Sequence, residues 1–138
     1  MFPIKISMLY YLMVFSCLTA CASQTVVTEE VLFKGEGQFW NATYIYNPDL
    51  ENGKGVNWIE IDYIEDESSN LDVNKIDIEL ESRDGLITGN IGQMENRIEG
   101  NTISFLVGTV NEETYIEDEY KLIIKFNDEQ DVIKLKHK

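Results

Sequence analysis

From Val31 to His137 the apolar residues of this chain recur at every second position and nowhere at helical spacing, which restricts it to β-strands. The clearest run is Lys75-Ile76-Asp77-Ile78-Glu79-Leu80-Glu81, with Ile76, Ile78 and Leu80 on one face and the charges on the other. A strand turns successive side chains to opposite faces, so this pattern describes a sheet that is dry on one side and wet on the other. The same parity places Ile59, Ile61 and Tyr63 inward, then Ile103, Phe105 and Val107, then Tyr120, Leu122, Ile124 and Phe126, then Ile133 and Leu135. Trp40, Ala42, Tyr44 and Tyr46 share one face of their strand, opposite Phe39 and Ile45.

Turn chemistry separates the runs. Asn47-Pro48-Asp49 and Glu51-Asn52-Gly53-Lys54-Gly55 break the chain after the aromatic strand. Arg83-Asp84-Gly85 and Asn127-Asp128-Glu129-Gln130 read as hairpin connections, and Gly100-Asn101 as a further turn. The expected strands are 31–35, 38–46, 56–64, 73–82, 85–93, 97–107, 119–126 and 131–137. No segment carries a helical stripe longer than the single turn that Asn111 to Glu117 would hold, and there are no internal repeats. About seven or eight short strands at this spacing predict an all-β fold, an antiparallel immunoglobulin-like sandwich, with a small β-barrel as the alternative.

The N-terminus follows a different rule. Lys5 supplies a positive start, and Ile6 to Ala20 is almost free of polar groups, the arrangement of a secretory signal. A helix of that length rises roughly 22 Å, short of the roughly 30 Å hydrocarbon core of a bilayer. Leu18-Thr19-Ala20-Cys21 resembles the lipobox of bacterial lipoproteins, an aliphatic residue and two small residues before a cysteine. That resemblance implies cleavage between Ala20 and Cys21, lipid on the Cys21 thiol, and a mature chain tethered to the extracytoplasmic face of a cell membrane. An ordinary signal cut after Ala20, or an uncleaved anchor, would be the alternatives.

A second resemblance covers about a dozen residues. Phe33-Lys34, Gly35-Glu36, Trp40 and Tyr44 are similar to the start of the domain in small surface lipoproteins of Bacillus-type bacteria: Gly-Glu, then Trp four residues on, then an aromatic four residues later. It implies a Gram-positive lipoprotein with a β-sandwich domain. The expected organisation is a signal peptide at 1–20, the lipidated Cys21 with a short polar stalk at 21–30, and a domain at 31–138.

Lipidation of Cys21 and loss of Cys17 with the signal leave no thiol for a disulfide, a nucleophile or a zinc site. The remaining 118 residues suffice for one domain, expected to be a monomer. Removing Lys5 leaves 10 basic residues against 25 acidic ones, a net charge of about −15. Such a field repels phosphate backbones, so nucleic acid is excluded as a partner.

Catalytic constellations are absent from the pattern. His137 is the single histidine and stands beside the C-terminus, where nothing holds an imidazole for nucleophilic catalysis. Gly35-Glu36-Gly37 lacks the third glycine and the helix of a phosphate loop. Paired carboxylates for hydrolysis need one raised pKa, and most acids here alternate with core residues and face water. The chain is therefore expected not to be an enzyme, a carboxylate-dependent hydrolase being the alternative.

No cofactor is expected beyond a weakly bound calcium ion. Asp66, Asn70, Asp72 and Asn74 gather oxygen ligands in one loop, as hard cations require. Asn70, Asp72, Asn74 and Glu81 match four loop positions of an EF-hand, but Lys75 replaces the turn glycine and the second half reads as a strand. The other candidate is a ligand patch: with Ile59, Ile61 and Tyr63 inward, Trp58 points outward beside Glu60 and Asp62. Aromatic and acidic side chains on one open face suit a sugar, a peptide or a wall polymer. The sequence thus points to a non-catalytic binding or accessory module of the cell envelope, whose partner is an envelope protein or wall polymer.

Overall fold

The computed structural model describes residues 24–48, 56–65, 71–108, 110, 111 and 113–138. Among these residues there are nine strands: β1 (Val31–Glu36), β2 (Trp40–Asn47), β3 (Val56–Tyr63), β4 (Asp77–Ser82), β5 (Gly85–Asn90), β6 (Asn96–Glu99), β7 (Thr102–Val107), β8 (Glu119–Phe126) and β9 (Glu129–His137). All neighbouring strands pair antiparallel, in the order β5-β4-β8-β9-β1-β2-β3-β7-β6. The all-β antiparallel class expected from the alternation is what the chain forms. Hydrogen bonding runs through one curled sheet, so the sandwich-like core arises from a single sheet closing over itself as a half-barrel does.

The count exceeds the expected seven or eight for a local reason. The stretch 97–107 is two strands, because Gly100 takes φ +61° and lets the chain reverse at Gly100-Asn101. Val73–Lys75 and Ile91–Gln93 are 3-10 turns, where strands were expected to continue. Ile76 and Ile91 bring those two turns together: the Ile91 N–H donates to the Ile76 carbonyl at 3.0 Å, and both side chains are fully buried. The edge strands β5 and β6 are joined only by residues 91–95, so the curl brings the two ends of the sheet together.

Inward parity holds in every long strand. Phe33, Trp40, Tyr44, Ile59, Ile61, Ile78, Leu80, Ile103, Phe105, Tyr120, Leu122, Ile124, Ile133 and Leu135 form one buried cluster. Burying a large apolar side chain contributes roughly 1.5–3 kcal/mol, and this cluster holds the fold. Its centre is aromatic: the Phe33 and Tyr120 rings meet edge-on at 5.1 Å, Tyr44 and Tyr120 at 4.8 Å, and Trp40 packs on Tyr63 at 4.7 Å. Burial drives the Tyr44 and Tyr120 phenols upward, Tyr120 to about 12, where hydrogen bonding to Thr114 partly offsets it.

Two close approaches explain the glycines of Gly35-Glu36-Gly37. A side chain at Gly35 would strike the Lys134 carbonyl, and one at Gly37 would strike the Asp131 carboxylate. Asp131 is buried, and it is the keystone of the β1–β2 corner. Its Oδ1 accepts the Gln38 N–H at 2.9 Å, and its Oδ2 accepts those of Phe39 at 2.9 Å and Trp40 at 3.0 Å. A strand from the far end of the sequence thereby fixes the entry of Trp40 into the core.

Candidate functional site

The outer face of β1, β2, β3, β7 and β6 is built from rows that cross the strands. Register pairs Leu32 with Ile45, Ile45 with Trp58 and Trp58 with Leu106, so these four side chains lie side by side on the outside. Leu32 is exposed, and Ile45, Trp58 and Leu106 are half-buried. The next row is Lys34, Thr43, Glu60, Ser104 and Arg97, and the third is Glu36, Asn41, Asp62, Thr102 and Glu99. The face thus grades from an apolar row through a row of mixed charge to an acidic one. Asp62 is also held in place, since the Thr102 hydroxyl donates to its carboxylate.

Trp58, Glu60 and Asp62 therefore share the outer face of β3 and point the same way, in neighbouring rows. Trp40, the other tryptophan, is buried in the core. The cation loop is not assembled among the described residues. Asp66 and Asn70 lie outside them, as do Ala20 and Cys21. Asp72 caps the Val73–Lys75 turn, its Oδ1 accepting the Asn74 N–H at 3.0 Å. Glu81 lies on β4 with its carboxylate 3.8 Å from the Lys121 ammonium. Among the described residues no group of three or more His, Cys, Asp or Glu side chains is placed to hold a metal ion.

A polar cluster that sequence reasoning missed sits at one end of the sheet, in the segment between β7 and β8. Arg83, at the β4–β5 hairpin, bonds the Asp118 carboxylate through Nη1 and the Glu113 carbonyl through Nη2, and its guanidinium stacks 4.6 Å from the Tyr115 ring centroid. The other Asp118 oxygen accepts the Tyr115 N–H at 2.8 Å and the Asn111 amide at 3.3 Å. Ser82 donates to Asn111, which also bonds the Tyr120 hydroxyl at 3.4 Å. Tyr115 donates to Glu113 at 2.6 Å, and that bond holds its phenol above the ordinary range. Burial of the Asp118 carboxylate is tolerated because the partly exposed Arg83 guanidinium and the Tyr115 and Asn111 donors satisfy both of its oxygens.

Residues 25–27 join this cluster. The Thr25 carbonyl accepts the Ile116 N–H at 2.9 Å, Val27 donates to the Thr114 carbonyl at 2.8 Å, and Val26 bridges antiparallel to Tyr115. The Thr25 N–H donates to Glu117 at 2.9 Å, which holds the Glu117 carboxyl below its usual value. Val27 is buried. Two valines in a short, otherwise small and polar stretch give no periodic signal, so only the 114–116 segment could have revealed this docking.

The two buried acids, Asp118 and Asp131, are both saturated by donors and stand toward opposite ends of the β8–β9 ladder. They cannot act as a hydrolytic pair, which needs two carboxyls roughly 5–9 Å apart across a cleft. A hollow of about 520 Å³ lies outside Arg83 and Tyr120, lined also by Glu119, Lys121, Val132 and Lys134. Compared with known protein families, with curated proteins and with solved structures, the chain matches none. Among the described residues no helix is long and apolar enough to cross a membrane.

Proposed function

We propose that the chain is a lipid-anchored lipoprotein on the extracytoplasmic face of a cell membrane, acting there as a non-catalytic binding or accessory module of the envelope. The observation that carries this reading is Leu18-Thr19-Ala20-Cys21 at the end of an apolar segment too short to span a bilayer. One acyl chain holds a protein only marginally and a second makes the attachment stable, so Cys21 must carry at least a diacyl group. Its net charge argues for a protein or wall polymer as partner and against nucleic acid.

The outer face bearing Trp58, Glu60 and Asp62 is the surface offered to that partner. It supplies an aromatic ring for stacking and carboxylates for hydrogen bonding in three successive rows. The reading is tested by Cys21→Ser, which should release the protein from the membrane fraction and remove the acyl mass. A variant that stays membrane-bound with unchanged mass would refute the anchor. Crosslinking in native cells, comparing the wild type with a Trp58→Ala, Glu60→Ala double variant, tests the face: its partners should be lost, and full retention would refute the assignment.

A further inference from the structure

The docked segment at 25–27 has a geometric consequence for a chain anchored through Cys21, and the inference below rests on that anchor. Four peptide steps separate Cys21 from Thr25. At most about 3.6 Å each, they reach roughly 14 Å. Thr25 itself is not free to swing, because it is paired to Ile116 and Glu117. The end of the sheet beside the segment between β7 and β8 is thus kept near the bilayer.

Register identifies what lies at that end. Val31, Tyr46, Asn57 and Val107 are successive partners at one end of β1, β2, β3 and β7, and three residues, Thr28 to Glu30, separate Val31 from the docked segment. Leu32, Ile45, Trp58 and Leu106 form the adjacent outer row, so the apolar row is on the tethered side. Glu36, Asn41, Asp62 and Thr102 form the row nearest the opposite end, with Glu99 beside them. On this outer face the carboxylates of Glu36, Asp62 and Glu99 are placed away from the tether, while Glu30, Glu113 and Glu117 stand at the tethered end. Tryptophan beside aliphatic side chains suits the headgroup level, where one side is apolar and the other wet.

We infer that the domain stands upright on its own membrane, with the Leu32–Ile45–Trp58–Leu106 row toward the lipid headgroups and the acidic row and the Trp40 end turned outward. The docked 25–27 segment acts as a short rigid foot in place of a flexible stalk. A partner that stacks on Trp58 and bonds Glu60 and Asp62 then approaches along the membrane surface, from the side, with Trp58 at headgroup level.

The chain carries its own probes, because Trp40 and Trp58 are its two tryptophans. Trp58 pairs with Ile45, five residues along β2 from Trp40, which sets the two roughly 17 Å apart along the strand direction. The intact lipidated protein is bound to vesicles of phosphatidylethanolamine and phosphatidylglycerol containing a dansyl-headgroup lipid, and energy transfer from tryptophan is measured. Trp58→Phe, a change on the outer face, leaves Trp40 as the sole donor, and the wild type minus this variant gives Trp58. Transfer from Trp58 should be at least twofold more efficient than from Trp40. Equal transfer, or more from Trp40, in protein that floats with the vesicles would overturn the orientation while leaving the anchor standing. A flexible Gly/Ser spacer inserted between Ser23 and Gln24 should leave flotation intact and shrink the difference; an undiminished difference would refute the foot. Wild-type protein that neither floats nor carries acyl mass would refute the anchor and the orientation with it.

Discussion

Replacing Asp131 should unfold the β1–β2 corner, and the cost follows from its bonds. The carboxylate accepts three backbone N–H groups at 2.9–3.0 Å, from Gln38, Phe39 and Trp40. A hydrogen bond to a charged group contributes roughly 1.5–3 kcal/mol, and bonds to one acceptor add less than in full. Asp131→Ala orphans all three donors and opens space beneath Gly37, for a loss of about 3–5 kcal/mol. Asp131→Asn keeps one carbonyl oxygen, which can hold the Phe39 and Trp40 donors while an amide group meets Gln38. Its loss should be about 1.5–3 kcal/mol. Against a total stability of roughly 5–15 kcal/mol, the alanine variant sits near the edge of folding. Urea unfolding followed by tryptophan fluorescence reads both, with Trp40 reporting from the corner itself. Glu129→Ala, an exposed change on the same strand, should stay within about 0.5 kcal/mol. If Asp131→Ala matched Glu129→Ala, the keystone account of this corner would be wrong.

Three other outcomes follow from described bonds. Tyr44 and Tyr120 have phenols raised from the ordinary 10.0, so the folded state favours their neutral forms. Their contribution to stability is complete below pH 10.0 and fades as pH climbs through and beyond about 12, so alkaline unfolding should coincide with the last tyrosines to ionise by absorbance. Glu117 titrates the opposite way: its carboxyl lies below the ordinary 4.5, so the Thr25 bond is present above that value and lost as pH falls below it. Protection of the Thr25 amide, measured against its intrinsic exchange rate, should fall there, and Glu117→Gln should lower it at neutral pH without a change in global melting. At the β8–β9 turn, Asn127 and Asp128 take φ 53° and 60°, so Asp128→Gly should raise stability by about 0.5–1 kcal/mol in thermal melts.

How much of this was legible depends on the range of each interaction. The strands of Ile76 to Leu80, Tyr120 to Phe126 and Ile133 to Leu135 announce themselves, because alternation is local and every inward residue is apolar. The outward placement of Trp58, Glu60 and Asp62 follows from the same parity. The break at Gly100 was visible as a turn, yet the apolar residues on both sides disguised it as one strand. Asp131 shares the inward parity of Ile133 and Leu135, but what an acid would meet there was hidden, since its three partners lie more than ninety residues away. Asp118 and Arg83 found each other across thirty-five residues and a hairpin, a pairing no local pattern encodes. The same holds for Thr25 and Ile116: both segments carry strand-forming residues, Thr25-Val26-Val27 and Thr114-Tyr115-Ile116, but each is too short to signal which partner it meets.

The middle of the sheet holds a constraint of a different kind. β9, the last of the described strands, lies between β8 and β1, so Phe33 finds its partner in His137. The early strands can zip into a β1-β2-β3 ribbon as they emerge, but β1 keeps one bare edge until residues 129–137 exist. Contacts this far apart in sequence close slowly, because the loop entropy is paid before any reward. Order of synthesis thus works as a timer: the first half of the domain waits, unfinished, for the last strand to be made.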